Sequence, residues 1–520
     1  MKKISSILAL ALFVSANFLL SAREEDSLEE LVNRLNAKEP LRSAVWGVLA
    51  VHANGDTLVN FNSSRKMIPA SNTKLITTGA ALFNLGGDFR FETTLAYDGV
   101  VTDSTLTGDL YILGGGDPTI AADDRISYSL DSTFGTWLEM LRKAGIKNLR
   151  GRIIGDGRYF DGDKSNSLWM VDDLGYNYGA GFDALSFYEN TQLFKIAPGK
   201  EEGDPILWKP EYPELPWMKY ESVARTSRRG SGNSVRYIIS DDAPRGIIAG
   251  KLALGRAPST QFYTNSFGAY TCAYMFGLYA KERAFTTDDY ACADIDGRGF
   301  VRTTIGVHGT DSSQLAKQVS ELTKIGVWKS PPLREIVWQT NKMSDNLYAE
   351  TLLRMMGKKG KGSAGIDSSL AVLGNVLEKM GARTELGYHQ TDGSGLSRET
   401  YISPEFFVDY LGIVAESPVY ADFIESLPAP GGYGTLEPRL PNCPEIIRSR
   451  IRAKSGTMGG VRCYTGYIIP STKGCCPAER KIFRLSPDTI IFSVMTNNAA
   501  NSLAVLRALD EIMEALARRN

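Results

Sequence analysis

Pro69-Ala70-Ser71-Asn72-Thr73-Lys74-Leu75-Ile76 is the stretch on which the reading of this chain turns. Downstream of Lys74, apolar or small residues recur at Leu75, Ile76, Gly79, Ala80 and Phe83, a helical spacing, and Gly86-Gly87 supplies the stop. Ser71 and Lys74 are therefore predicted three apart on one helical face. Ser71 falls in the first turn, where the helix dipole favours negative charge. A serine hydroxyl is a weak nucleophile until a base takes its proton. A lysine kept neutral by its surroundings can be that base. An N-capping serine beside a solvated lysine would produce the same four letters, so context decides. Upstream, Ser27 to Leu35 reads as a helix. Ser43 to Val51 and Thr57 to Phe61 read as strands joined by a two-residue Asn54-Gly55 hairpin.

Two later stretches share this character. Ser344-Asp345-Asn346 separates a predicted helix, Pro332 to Thr340, from another, Asn346 to Met356. These residue types are common helix caps, yet they also offer a hydroxyl for proton relay and an amide for a substrate backbone. Lys454-Ser455-Gly456 precedes a strand, Val461 to Ile469. It puts a cation and a hydroxyl on a predicted edge strand, where glycine lets a ligand approach the backbone. A protective lysine on an exposed edge is the competing explanation.

The 520 residues are 43% hydrophobic and 22% charged, the composition of globular domains. Lys and Arg number 58 against 59 Asp and Glu, a net charge of −1 without the basic excess of a nucleic-acid binder. Only three histidines occur, His52, His308 and His389, which argues against a histidine metal site or a Ser-His-Asp triad. Lys2-Lys3, the apolar run Ile4 to Leu20 and the small pair Ser21-Ala22 have the order of a signal peptide over residues 1–22. The expectation is export, with no later apolar stretch long enough to span a bilayer. Gly114-Gly115-Gly116 lacks the lysine and hydroxyl of a phosphate loop and reads as a turn.

Residues 96–257 alternate short strand-like runs with Gly, Asp, Asn and Pro turns, and helical texture returns near residue 264, continuing through Ser313 to Leu322. The chain closes on an amphipathic helix through Leu503, Leu506, Leu509, Met513 and Leu516. The expected organisation is an α/β domain made of residues 23–95 and 258–520, interrupted by a strand-rich insertion of one or two small domains at 96–257. Six cysteines are compatible with disulfides after export. Cys272 with Cys292, and Cys463 with Cys475 or Cys476, are plausible local bridges, with buried thiols the alternative.

The order S-x-x-K, S-D-N, K-[ST]-G is that of the penicillin-recognising serine enzymes. Ser71 and Ser344 lie 273 residues apart and Ser344 and Lys454 only 110, a first interval far longer than in a class A β-lactamase. The chain resembles the D-alanyl-D-alanine carboxypeptidase/endopeptidase family, the low-molecular-mass class C penicillin-binding proteins. The resemblance extends through Gly108-Asp109-Leu110, Gly114 to Thr119, Ala184-Leu185-Ser186, Glu189-Asn190, Ser344 to Glu350 and Asp392-Gly393-Ser394-Gly395-Leu396-Ser397.

That resemblance implies the β-lactamase/transpeptidase-like fold. It implies Ser71 as nucleophile and Lys74 as general base, with Ser344 and Lys454 as proton relay. Asn346, Ser455, Gly456 and Thr457 would bind substrate: Asn346 the acyl-side amide, Lys454 and Ser455 the terminal carboxylate. The N–H groups of Ser71 and Thr457 would form the oxyanion hole. No metal or cofactor is implied. The implied partners are peptidoglycan peptides, with β-lactams as inhibitors, in the periplasm. A β-lactamase or esterase, or a silent peptidoglycan-binding protein, are the rival readings. Two departures stand out: Ser455 replaces the threonine of many relatives, and the Ser471 to Pro487 segment is long for a strand connection.

Overall fold

The computed structural model describes residues 27–239, 243–287, 292–295, 301–303, 317–470, 485–499 and 502–519; the expected signal peptide and most of the Ser471 to Pro487 segment lie outside these. Helix α1 (Leu28–Asn36) precedes strands β1 (Val45–His52) and β2 (Thr57–Phe61), and a 3₁₀ turn at Ala70–Asn72 leads into α2 (Thr73–Leu85). The middle supplies β3 (Glu92–Tyr97), β4 (Leu110–Leu113), α3 (Leu130–Lys143), β5 (Ile153–Asp156), α4 (Gly268–Glu282), β6 (Cys292–Ile295), β7 (Val301–Thr303) and β8 (Thr323–Lys329), besides further strands. Then come α5 (Leu333–Met343), α6 (Asn346–Lys361), α7 (Ile366–Met380), α8 (Pro404–Glu416), β9 (Ile451–Met458), β10 (Val461–Ile468), β11 (Ile490–Asn497) and α9 (Ser502–Arg518).

The two ends of the chain build one antiparallel sheet in the order β2-β1-β11-β10-β9. Period-two alternation gives it two buried faces. Trp46, Val48 and Ala50 of β1, with Ile490, Phe492 and Val494 of β11, meet Leu28, Leu31, Val32, Val505, Leu509 and Ile512 of α1 and α9. Leu49, Ile491 and Met495 point the other way, into a helical lobe built on Leu75, Ile76, Leu352, Phe406 and Tyr410. Ser27 and Glu30 close a reciprocal capping box on α1, a device worth about 1 kcal/mol. The β1–β2 turn is longer than Asn-Gly alone suggested. Ala50 and Val51 form a bulge, and four residues, Ala53 to Asp56, connect the strands.

A six-stranded mixed sheet, ordered β7-β6-β5-β4-β3-β8, forms a second layer. Phe134, Trp137, Leu138 and Leu141 of α3 pack with Phe276 of α4 against Leu95, Ile112 and Ile153. The sequence reading did not anticipate α3. Its Asp131, Ser132, Thr133, Gly135 and Thr136 are weak helix formers, and burial of its aromatic stripe overrides them. Conversely, the helix expected up to Leu322 is, in its described part, a 3₁₀ turn at Val319–Glu321 running into β8.

Sheet pairing also stays with the middle of the chain past residue 258. Ser259–Thr264 pairs with Thr191–Ala197, and β8 pairs with β3. Cys272 and Cys463, one member of each suggested local bridge, are free thiols buried in α4 and β10, and Cys475 and Cys476 lie outside the described residues. Desolvation holds both thiols well above their ordinary pKa, Cys463 near 12. No helix among the described residues is long and apolar enough to cross a membrane.

Candidate active site

Three chain segments separated by hundreds of residues meet where α2 and α6 abut the edge strand β9. The 69–72 turn packs against β9 so closely that a Cβ on Gly456 would sit 2.5 Å from the Pro69 carbonyl oxygen. The turn is held from behind as well. Gly395 has φ +79°, and a Cβ there would lie 2.0 Å from the Ala70 carbonyl oxygen. Ala70 itself takes a left-handed φ of 47°, an arrangement L-residues adopt only under tertiary constraint. Ser71 is thereby presented at the start of α2, in a 3₁₀ turn rather than in the helix's first α-turn.

Lys74, fully buried, donates to Ser71 Oγ at 3.1 Å, to Asn346 Oδ1 at 2.5 Å and to the Ser394 carbonyl at 2.7 Å. Burial pulls its pKa down to about 8, and nearby Asp392, Asp345 and Glu350 oppose that fall. Ser344 is the left-handed residue, φ 65°, that ends α5. Asp345 caps α6 by accepting from the Tyr348 N–H at 2.9 Å, so Asn346 is the first residue of α6. Lys454, also fully buried, donates to Ser344 Oγ and to the Ser455 carbonyl, both at 2.8 Å. Burial first, and Lys74 second, hold Lys454 well below the usual lysine range. Ser455 Oγ donates to Thr435 Oγ1 at 2.8 Å. Ser71, Ser344, Asn346, Ser455, Gly456 and Thr457 line one open cleft of about 550 Å³.

All eight residues singled out in the sequence thus converge on one place. Others escaped the sequence reading. The Asp392 to Ser397 run, quoted above only among the resembling stretches, supplies the Ser394 carbonyl to Lys74. It is pinned by Glu350, whose Oε1 accepts from the Gly393 and Ser394 N–H groups, and by Asp392, which accepts from Gly395 N, Ser397 N and Trp169 Nε1. Burial and then Asp392 push Glu350 up to about 7. Tyr178, from the middle of the chain, takes the Asn346 Nδ2 donor on its carbonyl at 2.6 Å. The adjacency of the Asp392 run to Glu350 could not be read from sequence, but its paired glycines between small polar residues marked a constrained turn.

A nucleophile–lysine pair and a hydroxyl–lysine pair across one cleft, on a sheet flanked by helices, define a serine hydrolase of the penicillin-recognising fold. Residues 28–250 and 283–520 match the model of the D-Ala-D-Ala carboxypeptidase 3 (S13) family, and the chain belongs to that family. It is a serine-type D-Ala-D-Ala carboxypeptidase. It is 28% identical over 468 residues to the D-alanyl-D-alanine carboxypeptidase of Actinomadura sp. (strain R39), covering 86% of this chain and 79% of that one. It is 27% identical to the penicillin-sensitive carboxypeptidase A of Dictyostelium discoideum, over 91% of this chain and 87% of the relative. Its fold is that of penicillin binding protein 4 from Haemophilus influenzae, with a TM-score of 0.73 at 20% identity, over 94% of this chain and 98% of the other.

Proposed function

We propose that Ser71 cleaves peptidoglycan stem peptides through an acyl-enzyme, releasing the terminal D-alanine and also hydrolysing D-Ala cross-links, and that penicillin acylates the same serine. The observation that carries this reading is the Lys74 Nζ to Ser71 Oγ hydrogen bond of 3.1 Å. With a pKa of about 8, Lys74 is neutral in an appreciable fraction near neutral pH and can take the hydroxyl proton. Ser71 Oγ then bonds to the carbonyl carbon. The oxyanion receives the N–H groups of Ser71 and Thr457, each such donor worth about 10²–10³ in rate. The Lys454–Ser344 pair serves the other end. An incoming terminal carboxylate favours protonated Lys454 by opposite charge, so carboxylate binding brings a proton to the relay. Lys454 passes it through Ser344 Oγ to the leaving amine as the C–N bond breaks. Lys74 then passes the serine proton across the site to the now neutral Lys454; freed of it, Lys74 takes a proton from the water that attacks the ester carbon and returns it to Ser71 Oγ as the ester C–O bond breaks.

Two further elements belong to the proposal. The catalytic unit is discontinuous, and the strand pairing supports its resumption near residue 330, after β8, rather than at 258. The chain is exported to the periplasm through removal of residues 1–22. Penicillin acylation draws support from the sensitivity recorded in the name of the Dictyostelium relative. The test incubates wild type and Ser71→Ala with labelled penicillin and with a muropeptide ending in D-Ala-D-Ala, then with a cross-linked dimer. Stable label and D-alanine release that both require Ser71 are expected. Rapid penicillin turnover would replace this reading with a β-lactamase, and no labelling with no release would end it.

A further inference from the structure

A second cleft, at about 820 Å³ larger than the catalytic one, opens where the six-stranded sheet meets the C-terminal end of α6. Its lining carries five cations (Arg90, Arg158, Lys329, Lys358, Lys359) and three carboxylates (Asp88, Glu92, Asp156). The carboxylates are engaged. Asp156 accepts from Arg158 at 2.7 Å, Glu92 lies 3.2 Å from Lys329, and Asp88 lies 2.7 Å from Arg334, which is not a lining residue. Among the described residues, Arg90 has no ion pair; it donates to the Ser330 carbonyl at 2.6 Å and reaches Tyr128 Oη at 3.5 Å. Lys358 comes no nearer than 3.9 Å to its one described carboxylate, Asp161. Lys359 meets the Phe89 ring at 5.8 Å and Lys358 the Tyr159 ring at 5.1 Å. A helix C-terminus attracts lysines through its dipole, which accounts for Lys358 and Lys359. It does not account for Arg90, brought to the same cleft by the segment joining α2 to β3.

We infer that this cleft binds a carboxylate-bearing peptide at a distance from the catalytic serine. Three under-neutralised cations interleaved with aromatic rings suit a ligand that alternates carboxylates with short alkyl groups. A phosphate polymer has no use for the rings. α6 starts at Asn346 in the catalytic cleft and ends beside the second one, and its 16 residues span about 24 Å. A wall polymer with many stem peptides could then be held at two points, raising the effective concentration of the reacting stem. The identity of the ligand as a stem peptide rests on the function proposed above; the binding of a carboxylate-bearing peptide does not.

The test uses a disaccharide-tripeptide, which has no D-Ala-D-Ala bond to cut, titrated calorimetrically into wild type, Lys358→Gln/Lys359→Gln and Arg90→Gln. Wild type should bind it, more weakly as salt rises. The double variant should lose roughly tenfold in affinity, each lost contact being a charge-assisted hydrogen bond. D-alanine release from intact polymer should slow several-fold, while kcat/KM on a short soluble D-Ala-D-Ala peptide and the melting temperature stay at wild-type values. Tripeptide binding that is absent, or identical in all three proteins, overturns the inference. Binding of inorganic polyphosphate through these cations without tripeptide binding overturns it as well. If wild type released no D-alanine from the soluble peptide, the catalytic reading would fall, and the titration would still decide the cleft.

Discussion

The two ends of the catalytic cleft each hold a fully buried lysine against a serine hydroxyl, yet their surroundings differ. Lys74 is enclosed by carboxylates: Asp392, Asp345 and Glu350 all act to keep it charged, against the cost of burial. Lys454 has no such neighbour among its described influences, and Lys74 adds a repulsion. The first lysine is thus poised near its titration point, while the second is pushed toward its neutral form, a push that an incoming anion opposes. In the mechanism proposed above, the same residue type serves as base at one end and as carboxylate-dependent acid at the other. Environments that push like groups apart in pKa are how a site assigns acid and base roles.

Four substitutions test this contrast, from the largest effect to the smallest. Ser71→Ala should reduce D-alanine release about 10⁴-fold or more, because nucleophile and base act as a unit; single-turnover kinetics and penicillin labelling report it. Residual acylation would break the assignment at the Lys74 end. Ser344→Gly removes the relay hydroxyl and should cost about 10²-fold in kcat. It also relieves a left-handed serine at a helix C-cap but takes a partner from buried Lys454, so the two effects on thermal unfolding, each about 1 kcal/mol, should largely offset. Its acid limb in kcat/KM should stay near pH 8, because Lys74 is untouched.

Asp392→Asn acts on the other end. The Asp392 charge raises the Lys74 pKa, so its removal lowers that pKa. A neutral Lys74 then persists to lower pH, and the rising limb of the pH–rate profile moves to lower pH. The plateau should fall by no more than about tenfold through a weakened hold on the Ser394 turn. A limb that stays in place, or moves up, would show that Lys74 is not the base. Ser455→Thr should be nearly silent, with KM changed by less than about threefold, since the hydroxyl that meets Thr435 is retained. A large KM change would make that end sensitive to one methyl group.

The motifs were legible because each is local chemistry on a local element. S-x-x-K lies at a helix start, S-D-N at the junction of two helices, and K-S-G on an edge strand. The terminal helix, α6 and the strands β9 and β10 followed from local sequence pattern for the same reason. What stayed hidden depends on long-range burial. α3 forms from weak helix formers because its aromatic stripe is covered by the second sheet. The pairing of Ser259–Thr264 and β8 with strands far upstream depends on contacts that local patterns do not announce. Cys272 and Cys463 are kept as thiols by cores that no spacing rule describes.

The sequence by itself singled out the residues that the fold brings together, since a serine and a lysine, then a hydroxyl and an amide, then a lysine and a hydroxyl are a chemical statement independent of coordinates. Only the tertiary structure decided what state each is in. Burial set both lysines below their ordinary pKa, and three carboxylates act on Lys74 while none among the described residues is a cause of the Lys454 shift. Desolvation and Coulomb interaction depend on distances across the fold, and those distances are fixed by packing rather than by spacing along the chain.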